Sequence, residues 1–190
     1  MNQISPKLLE FFHSRFIDHY GDSQSLSQVC ALDDHILERV ADVNEGVLSE
    51  RHRANSRILK LVRDRSASSQ PLAGFYILYP VNRECEGLIE DGTILNSRQM
   101  TTGHICKETE EAASLYLSMV YGKSRQAQAY LIHLLYDDIR KVIKGSQGVR
   151  AVYVRPVTAA GLKAVERHGF RRFRADSGIY RRIVSPEDVA

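Results

Sequence analysis

Tyr116-Leu-Ser-Met-Val-Tyr-Gly-Lys-Ser-Arg-Gln-Ala-Gln-Ala129 is the stretch on which the fold turns. An apolar run enters Gly122, Lys123 and Ser124, after which Ala127, Tyr130, Leu131, Leu134, Leu135, Ile139, Val142 and Ile143 recur at three-to-four spacing. A strand over residues 113–121 is therefore predicted to feed a long helix that starts between Ser124 and Ala127 and stops at Gly145 and Gly148. The first turn of such a helix has backbone N–H groups without intrahelical acceptors and a partial positive charge, so it can receive a pyrophosphate. Lys123 and Arg125 add cationic donors at that turn, and Ser124 and Gln126 add neutral ones. The same pattern fits a plain amphipathic helix behind a solvated basic turn.

Downstream, residues 149–154 read as a strand that Pro156 breaks, residues 159–168 as a short helix closed by Gly169, and residues 178–184 as a last strand. A helix between two strands is how parallel neighbours are joined, so residues 113–121 and 149–154 are expected side by side and parallel. Upstream, residues 58–62 and 72–79 are β-rich runs, and the Ser-rich connection ending in Pro71 makes them an antiparallel hairpin. Residues 80–111 give no assignable pattern beyond short runs near Gly87, Ile89, Thr93 and Leu95. At the start, Leu8, Leu9, Phe11, Phe12, Phe16, Ile17 and Tyr20 predict one helix ending near Gly21. A short strand over 28–32 should follow, then a helix capped by Asp33 or Asp34 and carrying Ile36, Leu37, Val40, Val43 and Val47.

The chain of 190 residues, 43% hydrophobic and 26% charged, has the size of one domain, residues 1–190. Its longest apolar runs fall far short of the ~20 residues that cross a bilayer. Residues 1–5 show no secretory pattern, so a cytoplasmic setting is expected. Cys30, Cys85 and Cys106 form no C-x-x-C pair, and the seven histidines stand at no metal-ligand spacing, so neither a disulfide framework nor a metal site is expected. A net charge of +3 permits nucleic-acid binding without indicating it.

Residues 116–129 resemble the acyl-CoA motif of the GNAT superfamily of N-acyltransferases, Arg or Gln, two residues, Gly, one residue, Gly or Ala, set between a central strand and a long helix. Arg155-Pro-Val-Thr-Ala-Ala-Gly-Leu-Lys-Ala-Val-Glu-Arg-His-Gly-Phe170 is similar to that family's later strand, short helix and Gly-Phe, and Leu72-Ala-Gly-Phe75 to its preceding antiparallel strands. The resemblance covers residues 58–184. It implies an α/β fold with a mixed, mostly antiparallel sheet flanked by helices, and acyl transfer from acetyl-CoA or another acyl-CoA to an amine by direct attack. It places the cofactor against Met119, Val120, Lys123, Ser124, Arg125, Gln126, Ala127, Gln128, Ala129 and Thr158. The family glycines fall on Ala127 and Ala129, or on Gln126 and Gln128, and the usual general-acid tyrosine is Val165. The alternative is a non-catalytic GNAT-fold module that binds CoA or regulates. A homodimer is compatible with either reading.

Direct aminolysis needs a base for the acceptor's proton and an acid for the leaving thiolate. Glu111 is the candidate base, with Glu84 and Glu86 as comparable carboxylates, and Tyr121 the candidate acid, with Tyr180 or water as alternatives. Cys85 and Cys106 read as buried apolar groups. The Arg51-His-Arg53 run and the Arg171-Arg-Phe-Arg174 run read as solvated basic faces or as contacts to the phosphates of a nucleic acid or to an acidic acceptor, with Phe173 available for stacking.

Overall fold

The computed structural model describes residues 5–30, 32, 45–66, 68–146, 148–174 and 176–185. In chain order the elements are α1 (Pro6–Arg15), β1 (Phe16–Tyr20), α2 (Ser23–Cys30), α3 (Glu45–Ala54), β2 (Leu59–Asp64), β3 (Leu72–Val81), α4 (Arg83–Asp91), β4 (Ser114–Gly122), α5 (Arg125–Gly145), β5 (Ala151–Val154), α6 (Ala159–Arg167), β6 (Arg171–Arg172) and β7 (Tyr180–Ile183). The strands form one sheet in the order β1-β2-β3-β4-β5-β7-β6. Every pairing is antiparallel except β4 with β5, which is parallel, as the intervening helix requires.

Helices cover both faces, which is why β3 and most of β4 are buried and read as continuous apolar runs rather than alternating ones. On one face Tyr116 and Met119 pack with Leu26 and Val29 of α2, Leu48 of α3, and Cys85 and Ile89 of α4. On the other, Leu115 and Leu117 pack with Phe12 of α1 and with Leu131, Leu135 and Ile139 of α5. The strand, the long helix, the parallel neighbour and the hairpin are where the sequence puts them, within a residue or two of each boundary.

The N-terminal third differs. Residues 16–20 form β1 rather than the end of a helix, paired in register from Phe16 opposite Asp64 to Tyr20 opposite Lys60. The α5 side of β1 carries Phe16, Asp18 and Tyr20: Phe16 stacks on Tyr130, Asp18 accepts from the Tyr130 hydroxyl, and the Tyr20 hydroxyl donates to Asp138. Two polar residues on the inward face erase the apolar alternation that marks a strand. Residues 28–30 end a helix instead of starting a strand. Asp22 accepts from the Ser25 N–H at 2.8 Å, and Leu26 and Val29 bury at i,i+3. Most of the helix expected after Asp33 or Asp34 lies outside the described residues, and Val47 belongs to α3. Residues 83–91 of the unassigned segment form α4, capped by Asn82 on the Cys85 N–H and closed by Gly92 at φ 88°.

Candidate functional site

Two junctions flank β4, and they are unlike. Toward β3 the pairing runs from Val81 opposite Ser114 to Gly74 opposite Gly122. Toward β5 it covers only Leu115, Tyr116 and Leu117, opposite Val152, Tyr153 and Val154. Two local features end it there. The β3–β4 register shifts between Ile77 and Leu78, whose partners are Met119 and Leu117, so Ser118 is the extra residue of a bulge that re-aims the strand. On the other strand Pro156 cannot donate to a ladder. Residues 118–122 therefore continue with no β5 partner among the described residues, and the β4 backbone groups that point that way make no ladder bond.

This half of β4 runs into the first turn of α5. Ser124 caps the helix, its Oγ accepting from the Ala127 N–H at 3.1 Å, and the Gln128 N–H bonds the Ser124 carbonyl at 2.9 Å. The amides of Arg125 and Gln126 remain without an intrahelical acceptor. Lys123, Ser124, Arg125, Gln126, Gln128 and Ala129 are exposed around them. Gly122 lets the strand touch the helix: a Cβ there would lie 2.8 Å from the Gln128 nitrogen and 2.9 Å from its Cα. The donor set of two open amides and two cations at one helix N-terminus fits a pyrophosphate.

Ala127 does not face that turn. It is fully buried among Val120, Tyr130 and Leu131, so its small size serves the seating of α5 on the sheet. Met119 is buried on the far face, and Val120 is half-buried beneath α5. Thr158 caps α6 by accepting from the Gly161 N–H at 3.0 Å. Val165 is half-buried against the α5-side core, and its carbonyl accepts from the Phe170 N–H.

Glu111 and Tyr121 are not brought together. Glu111 is exposed before β4 begins, and Tyr121 is the penultimate residue of the strand. Seven residues of extended chain from Ser114 to Tyr121 span roughly 23 Å, too far for both groups to serve one reacting atom. Tyr121 has the better placement, half-buried on the half of β4 beyond the β5 ladder, with its ring 5.7 Å from that of Phe75. Its hydroxyl has no hydrogen-bond partner among the described residues. The hydroxyls of Tyr20, Tyr76, Tyr130 and Tyr153 are instead committed to carboxylates, and burial followed by those carboxylates holds their pKa values well above the usual phenol.

Of the other candidates, Glu84 is exposed, while Glu86 is buried, pairs with Arg83 at 3.2 Å, and is raised in pKa by burial. Burial pushes the Cys85 thiol up to about 12 and the Cys106 thiol to about 11, which keeps both protonated and poor nucleophiles. His104 accepts from the Thr101 N–H, and His133 sits 3.4 Å from Asp137. The Arg51 run is not a surface patch. Arg51 is 1% exposed and donates to the Tyr79 hydroxyl and to the Ser97 and Met100 carbonyls, and His52 bonds the Gly21 carbonyl. Sequence reasoning missed Ser118 and Ser97, whose hydroxyls meet at 2.8 Å beside the bulge, because a bulge leaves no pattern of its own.

A mixed sheet with one parallel junction that ends at a bulge, followed at once by a capped helix N-terminus, is the fold this chain shares with solved structures of GNAT acetyltransferases. No family model and no curated protein matches the sequence. Solved structures match the fold. The chain is similar to a chain of the NatC complex bound to Gag peptide and CoA (TM-score 0.54, 10% identity, 90% of this chain and 98% of that one). It is similar to a GNAT family acetyltransferase from Brucella melitensis in complex with acetyl-CoA (TM-score 0.50, 12% identity, 90% and 89%). It is also similar to the loading GNATL domain of CurA from Lyngbya majuscula (TM-score 0.52, 12% identity, 73% of this chain), of which it spans only 63%. At such identities the likeness is one of fold. Among the described residues no helix is long and apolar enough to cross a membrane.

Proposed function

We propose that residues 1–190 act as one acyl-CoA-dependent N-acyltransferase domain in the cytoplasm, taking the acyl-CoA into the opening between β4 and β5. The observation that carries this reading is the coincidence of three features at one place: the end of the β4–β5 ladder at Leu117, the bulge at Ser118 and the open first turn of α5. The amides of Arg125 and Gln126 would hold the pyrophosphate, with Lys123 and Arg125 adding charge-assisted hydrogen bonds and Ser124, Gln126 and Gln128 neutral ones. Backbone groups at Met119 and Val120 that point away from β3 would offer hydrogen bonds to the amide-bearing arm, and Thr158 would border it from the β5 side. The bound molecule supplies an activated thioester to an amine acceptor. The amine nitrogen would form the C–N bond as the C–S bond breaks, Tyr121, with an uncommitted hydroxyl on this half of β4, would protonate the departing thiolate, and the proton shed by the nitrogen would pass to water.

Two observations favour a second reading, a non-catalytic module that binds CoA. Val165 offers no proton where the resembled family keeps a tyrosine, and Glu111 is too far from Tyr121 to complete an acid–base pair. Calorimetry with acetyl-CoA and desulfo-CoA tests the binding shared by both readings, and thiol release with a panel of amines separates them. Binding with release supports the transferase; binding without release by any amine supports the module; no binding of either ligand overturns both.

A further inference from the structure

At the β6 edge of the sheet β6 and β7 pair through Arg171 with Arg181 and Arg172 with Tyr180, and the Phe173 N–H bonds the Ile179 carbonyl at 2.9 Å. Beside this ladder lies a groove of about 440 Å³ whose lining includes Gly169, Phe173 and four arginines, Arg171, Arg172, Arg181 and Arg182. It lies toward the start of β5, because Ile183 pairs with Ala151, whereas the acyl-CoA opening lies beyond the strand's end at Val154. Placing Arg171 directly opposite Arg181 sets like charges across a strand pair, an arrangement that costs stability. Arg181 is compensated, 3.2 Å from Glu90 and with its guanidinium 4.1 Å above the Phe173 ring. Arg171 and Arg172 are exposed, and among the described residues no carboxylate pairs with either. The imbalance is regional. Residues 159–185 carry seven Lys and Arg against two carboxylates, an excess of five, although the whole chain nets only +3.

We infer that this groove binds the phosphate backbone of a nucleic-acid strand, through guanidinium groups and without reading bases. A strand fits better than a small polyphosphate because exposed cations continue on the preceding helix α6, at Lys163 and Arg167, and because the two unpaired arginines are exposed rather than enclosed. Base stacking is not offered, since Arg181 already covers a face of Phe173. Affinity should therefore come from phosphate contacts and weaken steeply with salt.

The test is fluorescence anisotropy of a labelled RNA and a DNA of the same mixed sequence, about 20 nucleotides long, from about 50 to about 200 mM salt, with the full chain. Binding of either strand by the parent is expected, and the stronger of the two identifies the source of the phosphates. Arg171→Ala with Arg172→Ala should weaken binding about 10-fold or more and reduce the slope of log affinity against log salt by about 1.4, near 0.7 for each phosphate of a single strand that is no longer neutralised. Calorimetry with acetyl-CoA should give the parent's affinity. Arg171→Lys with Arg172→Lys should keep most of the affinity and the slope. If the double alanine variant loses its fold, Arg172→Gln at the exposed position should lower the slope by about 0.7. A parent that binds neither strand at about 50 mM salt, or variants with an unchanged slope, would overturn the inference. ATP displacing the strand as effectively, mole for mole, as the unlabelled oligonucleotide would also overturn it, in favour of a small polyphosphate.

Discussion

The two sides of β4 have the same strand in common and opposite fates. On the β3 side the contact is so close that a Cβ at Gly74 would meet the Tyr121 carbonyl, lie 2.6 Å from Leu131 Cδ1 and 2.9 Å from the Gly122 Cα. On the β5 side the ladder stops after three pairs. The difference teaches that one strand can be both the most fixed part of a core and the wall of a cleft, provided a bulge separates the two tasks. A closed junction resists any added atom. An open one should tolerate changes in fold stability and register them in ligand affinity.

The largest expected effect breaks the closed junction. Gly74→Val must displace backbone rather than the end of a flexible side chain, so it should cost about 3 kcal/mol or more, seen as a lowered urea midpoint. A midpoint within experimental scatter of the parent would mean that the β3–β4 seam is looser than described. Next is the polar tie that fastens α5 to the same seam. Tyr76 of β3, opposite Val120, donates its hydroxyl to the buried Asp138, which also accepts from Tyr20. Tyr76→Phe leaves that carboxylate short of a donor and should cost about 1 to 3 kcal/mol in the same titration. An unchanged midpoint would show that Tyr20 and Lys141 suffice.

Arg125→Ala probes the open side. It should leave stability alone and weaken acetyl-CoA binding by about 1 to 3 kcal/mol, roughly 5- to 150-fold, by calorimetry at fixed salt. An unaltered affinity would move the phosphate site away from α5. Ala127→Val, by contrast, should act through stability, because its methyl is enclosed in the core.

The smallest effect concerns the β5 side, where Glu86 lies within the field of Arg150 and Arg181. Its folded pKa is raised above 4.5, mainly by burial. A raised pKa means that the folded state holds the proton more tightly, so the stabilisation is complete below pH 4.5 and is lost as pH rises through the folded value. Glu86→Gln removes that dependence. The parent's stability relative to the variant should fall from acid to neutral pH, and a flat difference would contradict the burial of this carboxyl.

The residue patterns from Leu72 onward determined most of the sheet by themselves. Apolar runs at β3 and β4, the change of period at Gly122 and the breaks at Pro156 and Gly169 are local signals, and local signals survive in a linear string. Signals for α2 and α4 were also present, in Asp22, Asn82 and Gly92, but a short helix with Gly87 inside it yields too weak a period to outweigh its glycine. The candidate phosphate turn was legible for the same reason as α5, since Ser124 and the residues after it are contiguous. Only the tertiary structure decided β1, whose inward Asp18 and Tyr20 make sense once Lys60, Tyr130 and Asp138 arrive from elsewhere. It alone separated Glu111 from Tyr121 and gathered Arg171, Arg172, Arg181 and Arg182 into one groove. Distances between residues far apart in the chain are set by strand pairing and helix seating, and no spacing along the sequence encodes them.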